Sequence, residues 1–254
     1  MFNNTIIDHS DNLTFHFVNI ESYSDDLKKL ITSELSNIWN GDNDELEDIQ
    51  IVKDEIKAFL IDKKDDRQKY GIVSEFICHL YLRQHNHKQH FLFRNLEEKG
   101  MKKGFDGVYL KDDLLWLYES KSTMPTTISD HNRNISEAYN DVKKKVEGTN
   151  TTNNPWKNAY THANNYAINH DETLISVLKK YSNQYVKKQY HDISNFNIIP
   201  SSTIFLEEKW SNIDDNELYI KLEKLTQKYT SKRLNLLCVN KRTIDEFLKL
   251  IISE

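Results

Sequence analysis

The residues best suited to chemistry lie in the stretch 103–122, where charged side chains flank two short apolar runs. Asp106 precedes the first run, and Glu119 and Lys121 end the second. Two carboxylates and a lysine are groups that can hold a hard divalent cation such as Mg²⁺ beside a phosphate. The stretch therefore indicates metal-assisted phosphodiester hydrolysis, provided that folding brings the three side chains together.

A β-hairpin would bring them together. Residues 112–113 can form a two-residue turn, and counting back from that turn puts Asp106 directly opposite Glu119. A four-residue loop gives the same register, whereas a loop of odd length shifts the register by one. Directly opposed residues have Cβ atoms about 5 Å apart, so two carboxylates there would repel each other unless a cation lay between them. Because side chains alternate along a strand, Lys121 shares the face of Glu119.

The pattern of an acidic residue two positions before a lysine is not specific by itself. It recurs in polar surroundings, typical of solvated faces, at Asp26, Glu55, Asp62, Glu97, Asp141 and Glu207. Glu119 differs because it ends an apolar strand, where a charge is costly without a purpose. Glu75, at the margin of the apolar stripe of the preceding helix, is a candidate third carboxylate. The alternative interpretation is a strand end that emerges into solvent with an ordinary surface ion pair.

Hydrophobic periodicity predicts the elements that must position these residues. The predicted helices span 25–39, 44–62, 70–82, 135–147, 156–169, 172–190 and 216–229, and the predicted strands 13–20, 91–96, 105–110, 114–122, 202–207 and 234–239. Thr243 and Glu246 have the spacing of a capping box that opens a last helix. The order of elements predicts an α/β fold, a mixed central β-sheet flanked by helices. We interpret residues 1–64 as an N-terminal strand and helix elaboration and residues 65–254 as the main domain.

Composition argues against several other classes of protein. The 254 residues carry 34 basic and 39 acidic side chains, and this net charge of -5 argues against binding nucleic acid by bulk charge alone. Two cysteines are too few for a disulfide scaffold or a Cys-rich zinc module. No apolar run approaches the roughly 20 residues of a membrane span, so we expect a cytoplasmic protein without a membrane partner.

Lysines near the site are candidate nucleic-acid contacts, because phosphate groups dominate binding to DNA. Lys102 and Lys103 precede Asp106, and Lys143 and Lys144 lie on the polar face of the helix predicted after the second strand of the hairpin. A solvated helix face is an equally good interpretation of Lys143 and Lys144.

Two groups of histidine and aromatic residues are interpreted as structural. His85, His87 and His90 are predicted to form an exposed turn, because no cysteine or carboxylate cluster accompanies them as metal ligands. Trp156 and His162 could stack on bases, but packing in the core or at an interface is the favoured interpretation.

The order of these features resembles the PD-(D/E)xK nuclease superfamily. A helix with Glu75 precedes a meander that carries Asp106 and the sequence Glu-Ser-Lys at 119–121, with Phe105 at the proline of the superfamily's name. More narrowly, Lys-Gly-Phe-Asp-Gly-Val-Tyr at 103–109 and Tyr-Glu-Ser-Lys-Ser at 118–122 are similar to the HamA family, the nuclease subunits of the Hachiman antiphage defence system.

The resemblance implies a Mg²⁺-dependent deoxyribonuclease, with Mn²⁺ as a substitute cation, that cleaves DNA together with a helicase subunit, HamB. It implies that Asp106 and Glu119 are metal ligands, that Glu75 is a further one, and that Lys121 is the catalytic lysine. Two alternatives stay open. One is a non-catalytic DNA-binding or regulatory subunit that keeps the nuclease fold, and the other is a restriction-type endonuclease with its own recognition sequence.

Overall fold

The computed structural model describes residues 2–42, 48–61, 63, 65–93, 104–149, 153–165, 167–168 and 170–252. Strands in these residues form one seven-stranded sheet in the order β1-β2-β7-β6-β5-β4-β3. They are β1 (Asn3–Ser10), β2 (Leu13–Ile20), β3 (Lys88–Gln89), β4 (Gly107–Lys111), β5 (Leu114–Thr123), β6 (Asn197–Phe205) and β7 (Arg233–Lys241). The four central strands β2, β7, β6 and β5 are parallel, and β1, β4 and β3 are added in antiparallel fashion.

Helices cover both faces of this sheet. The described helices are α1 (Asp25–Asn40), α2 (Ile49–Ile61), α3 (Asp66–Gln84), α4 (His131–Val146), α5 (Pro155–Ala163), α6 (Glu172–Val186), α7 (Asp215–Thr226) and α8 (Asp245–Ile252). One buried cluster joins the sheet to α1, α2, α3 and α8, and the other joins it to α4, α5, α6 and α7. Strand residues alternate between the two clusters, as Leu117 and Tyr118 do, because successive side chains point to opposite faces. The predicted α/β fold with a mixed, helix-flanked sheet is confirmed.

The hairpin of β4 and β5 has the predicted register. Lys111 pairs with Leu114, and Gly107 pairs with Tyr118. The two turn residues between the strands have φ angles of 51° and 57°, the left-handed conformation that a type I′ turn requires at both positions. Asp tolerates this conformation better than most residues, since its short side chain bonds locally. The sequence Asp-Asp at 112–113 therefore determines which residues face each other at the open end of the hairpin.

The N-terminal segment is part of the sheet. Strand β2 pairs in parallel with β7 along its whole length, and β1 forms an antiparallel edge on β2. Helices α1 and α2 pack into the same buried cluster as α3. The predicted boundary between residues 64 and 65 stays a prediction; the first two strands attach to the main domain through backbone hydrogen bonds.

Three local predictions were wrong. Instead of the predicted strand 91–96, the short strand β3 just before it pairs with β4 through Lys88 and Gln89, and residues 91–93 are not in a strand. Residues 94–96 lie outside the described residues. Glu246 does not close a capping box, since its carboxylate accepts a hydrogen bond of 2.9 Å from the Tyr23 amide. His87 and His90 are buried. The amide of His90 donates to the carbonyl of β4 residue 108, which holds that segment against the sheet.

Candidate active site

Asp106 and Glu119 lie next to each other at the open end of the hairpin. The ladder pairs Gly107 with Tyr118, so the next pair outward is Asp106 and Glu119. The amide of Asp106 donates to the carbonyl of Tyr118 at 3.1 Å, and the Asp106 carboxylate accepts a hydrogen bond of 2.8 Å from the Ser120 amide. These two hydrogen bonds hold Asp106 against β5 one residue beyond the last pair of the ladder, next to Glu119, and the direct opposition of the two carboxylates stays a prediction.

The backbone beside Asp106 is closely packed at Gly107. A Cβ at Gly107 would lie 3.1 Å from the ring of Tyr118 and 3.2 Å from the ring of His79. These distances are shorter than ordinary van der Waals contact, so a side chain here would displace the rings that fix the strand end. Gly107 therefore allows α3 to pack closely against the hairpin directly below the carboxylate pair.

Helix α4 supplies two further charged groups. Its apolar stripe, which includes Val142 and Val146, packs on the sheet and turns the flanking positions toward β5. Lys145 Nζ lies 2.5 Å from Glu119 Oε2, while Lys121 Nζ lies 3.3 Å from Glu119 Oε1. Asp141, one helical turn before Lys145, lies 2.7 Å from Lys121 Nζ. Both oxygens of the Glu119 carboxylate are therefore bonded to ammonium groups.

The two opposed carboxylates have different electrostatic environments. The Glu119 side chain is only 4% exposed but is compensated by two lysines. Burial, followed by the charges of Glu119 and Glu75, raises the pKa of Asp106 to about 7. The nearby ammonium of Lys145 opposes this rise but does not cancel it. Asp106 is thus the less fully compensated of the two carboxylates, since among the described residues no ammonium group lies within 4.0 Å of it.

Lys121 is held in its charged form. Burial alone would lower the pKa of Lys121, but the carboxylates of Glu119, Asp141 and Asp106 outweigh burial and raise it. In return, Lys121 lowers the pKa of Asp141 against the opposing effect of burial. Lys121 is therefore a hydrogen-bond donor and a positive charge at neutral pH, and not a base that accepts a proton.

Glu75 approaches from the other face of the sheet. It lies on α3, whereas Lys145 lies on α4, and its Oε1 is 3.5 Å from Nε2 of His79. His79 Nδ1 is hydrogen-bonded to the Tyr109 hydroxyl, which fixes the ring. The charge of Glu75 raises the pKa of Asp106, so the two carboxylates interact electrostatically. Among the described residues, however, no group of three or more histidine, cysteine or acidic side chains converges as a ready metal cluster.

Of the four lysines predicted to contact DNA, the structure describes only the two on α4. Lys102 and Lys103 lie outside the described residues. Lys143 is partly buried, and Lys144 is exposed with its Nζ 3.6 Å from Asp141. Trp156 and His162 are buried, which confirms packing as their role.

Sequence reasoning missed Asp141 and Lys145. Their spacing of four residues places them one above the other on α4, next to the buried positions Val142 and Val146. The available signal was an acidic and a basic residue four positions apart at the border of the apolar stripe of the helix. This position distinguishes Lys145 from Lys143 and Lys144, although the three form one basic run in the sequence.

The donor set at this site suits a hard divalent cation. Asp106 and Glu119 offer carboxylate oxygens, and Mg²⁺ uses one or two carboxylates and fills its other positions with water and phosphate oxygens. A cation is favoured because Asp106 is buried beside the charges of Glu119 and Glu75, and a positive charge there would offset both the burial and the repulsion. The residues that would hold the cation are Asp106 and Glu119, with Glu75 as an electrostatic contributor.

The fold and the site together define a class: an α/β protein with a mixed sheet in which the β4–β5 hairpin presents an acidic pair and a charged lysine. The model of the HamA family matches residues 2–254. The chain therefore belongs to the HamA family, which identifies it as an antiphage defence protein of a system with several subunits. A search of curated proteins gives no significant match. None of the described helices has the length and apolar character of a membrane-spanning segment.

Proposed function

We propose that the protein is a Mg²⁺-dependent deoxyribonuclease of the PD-(D/E)xK type that acts with a helicase subunit in antiphage defence. The observation that carries this proposal is the group formed by Asp106, Glu119 and Lys121. Two carboxylates interact with each other beside a lysine that stays protonated, and one of them, Asp106, is only partly compensated by positive charge.

Each residue has a role that follows from its surroundings. Asp106 and Glu119 hold the cation, and the hydrogen bond from the Ser120 amide orients the Asp106 carboxylate. When bound, Mg²⁺ lowers the pKa of water and stabilises negative charge on a phosphate. Lys121 donates a hydrogen bond to the attacking water or to a phosphate oxygen, because its raised pKa keeps the ammonium protonated. Asp141 holds the Lys121 ammonium beside Glu119.

The first test compares degradation of plasmid and linear DNA with Mg²⁺ or Mn²⁺ by the wild type and by Glu119→Ala and Lys121→Ala. Removing a donor to the transition state, as in Lys121→Ala, costs on the order of 10²–10³ in rate, and Glu119→Ala removes a ligand of the cation, so we expect loss of detectable cleavage in both variants. Asp26→Ala is the matched control, because Asp26 also lies two residues before a lysine but is exposed on α1. Its cleavage should equal that of the wild type. Full activity of Glu119→Ala or Lys121→Ala would refute the site assignment.

Calorimetric titration with Mn²⁺ tests the same site without cleavage. We expect binding by the wild type and its loss in Glu119→Ala, with folding of each variant checked by circular dichroism. A non-catalytic DNA-binding or regulatory subunit that retains the fold need not bind the cation. Binding that is identical in the wild type and Glu119→Ala would contradict the role of Glu119 as a metal ligand.

The helicase partner and the cleavage pattern need separate experiments. If the chain alone leaves DNA intact, cleavage should appear when the proposed helicase subunit and ATP are added. Discrete product bands would instead favour a restriction-type endonuclease, whereas a smear of fragments is expected for a helicase-coupled nuclease.

A further inference from the structure

Lys145 occupies an unusual position for a residue of a basic helix end. The last turn of α4 carries Lys143, Lys144 and Lys145, but only Lys145 is bonded to the buried carboxylate of Glu119. Its side chain is 21% exposed, against 52% for Lys144. The ammonium group of Lys145 therefore lies inside the site and is bonded to Glu119 Oε2, an oxygen that could otherwise coordinate a cation.

The hydrogen bonds of Glu119 imply a competition. Oε1 is bonded to Lys121 and Oε2 to Lys145, so a cation on either oxygen would lie next to an ammonium group and repel it. Lys121 has a second carboxylate partner, Asp141, at 2.7 Å. Among the described residues, Lys145 has Glu119 as its one ion-pair partner within 4.0 Å. Asp141 therefore tethers Lys121 at the site, whereas no second ion pair in the described residues restrains Lys145, so Lys145 is the ammonium group that can move from Glu119 to a new partner.

We propose that Lys145 has two successive partners, Glu119 before a cation binds and a DNA phosphate afterwards. This inference rests on the proposed metal-dependent nuclease. Once displaced, the ammonium remains at the site, where the phosphate must lie to reach the cation. Lysine binds phosphate as a point charge with three donors. Lys145 thus lowers the affinity of the empty site for the cation and raises the affinity of the loaded site for DNA.

The first arm of the test is calorimetric titration of the full chain with Mn²⁺, comparing the wild type with Lys145→Met, Lys145→Arg and Lys144→Met. Losing one charge-assisted competitor should tighten binding by Lys145→Met about tenfold. Lys145→Arg keeps the ion pair and should bind like the wild type. Lys144→Met removes the same charge from the neighbouring position and controls for the general field, so its change should stay below about twofold.

The second arm is DNA binding measured by fluorescence anisotropy of a labelled duplex, with Ca²⁺ or with EDTA. Ca²⁺ also takes carboxylate and phosphate oxygens. Lys145→Met should weaken binding about fivefold with Ca²⁺ and by less than twofold with EDTA, since Lys145 is bonded to Glu119 in the metal-free protein. A merely structural role would not make the loss depend on the cation. Lys145→Gln, which keeps a donor without the charge, serves as a second variant if Lys145→Met folds poorly.

The outcomes separate this inference from the proposed function. Tighter Mn²⁺ binding by Lys145→Met, together with a loss of DNA affinity confined to Ca²⁺, supports it. Mn²⁺ affinity equal to or weaker than that of the wild type overturns it while leaving the metal site in place. An equal loss of DNA affinity with Ca²⁺ and EDTA also overturns it. The absence of Mn²⁺ binding in every variant overturns the metal site and this inference together.

Discussion

Replacing Asp106 with asparagine should stabilise the metal-free protein at pH 8. Burial and the charges of Glu119 and Glu75 raise the pKa of Asp106 from 3.8 to about 7. Between these values the folded protein retains a proton that the unfolded chain loses, so this group makes the free energy of unfolding fall as pH rises. A pKa difference of about 3, at about 1.4 kcal/mol per pH unit, corresponds to about 4 kcal/mol at pH 8. Asparagine removes the charge and keeps an oxygen to accept the Ser120 hydrogen bond, so we expect a gain of about 2–4 kcal/mol.

The assay is urea unfolding in EDTA from pH 5 to pH 8, followed by tryptophan fluorescence. The gain in Asp106→Asn should grow by about 2.6 kcal/mol over this range, because the folded wild type loses stability as pH rises toward the raised pKa of its carboxyl group. Asp141→Asn is the matched control with the opposite sign. Lys121 lowers the pKa of Asp141, so that carboxylate stabilises the fold above pH 4, and its replacement should destabilise the protein at pH 8. A gain in Asp106→Asn that does not change with pH, or lower stability than the wild type at pH 8, would refute the reasoning.

Two further predictions concern backbone geometry and are checked by urea midpoints. Changing Asp112-Asp113 to Asn-Gly should stabilise the protein by about 1 kcal/mol, because both positions have left-handed φ angles; destabilisation would contradict the type I′ turn. Gly41→Ala should cost more than about 2 kcal/mol, since φ is 104° and the new Cβ would lie 2.3 Å from the Ala167 carbonyl oxygen. Gly71→Ala, in α3 with the Ser122 hydroxyl oxygen 4.0 Å from the new Cβ, should instead stabilise the protein by about 1 kcal/mol, and equal effects of the two glycine changes would count against this account.

The hairpin could be predicted from the sequence because its determinants are local. A two-residue turn and the period of two fix which residues pair, so the opposition of Asp106 and Glu119 followed from counting. Strand β2 was predicted with its observed bounds, since one face of Leu13–Ile20 packs into each buried cluster. The exposed edge strand β1 was not predicted, because its side chains are largely solvent-exposed and carry little periodic signal.

The rest of the site depends on tertiary packing. The sequence identifies Lys143, Lys144 and Lys145 as one basic run, and only the angle at which α4 packs on the sheet brings Lys145 to Glu119. The position of Glu75 follows equally from the packing of α3 on the opposite face. Periodicity indicates which side of a helix is buried, but it does not indicate which strand residue that side meets.

The unequal compensation of the two carboxylates connects the stability of the protein with its proposed chemistry. Glu119 is bonded to two ammonium groups, whereas Asp106 accepts one backbone hydrogen bond and has a raised pKa. A cation therefore gains most from Asp106 and must compete with Lys145 for Glu119. Ionisation of the buried Asp106 carboxylate should lower the free energy of unfolding of the metal-free protein. The two ammonium groups bonded to Glu119 should lower the affinity of the site for the cation. Since both effects disappear when a cation enters, binding should increase stability and release Lys145 for DNA in the same step.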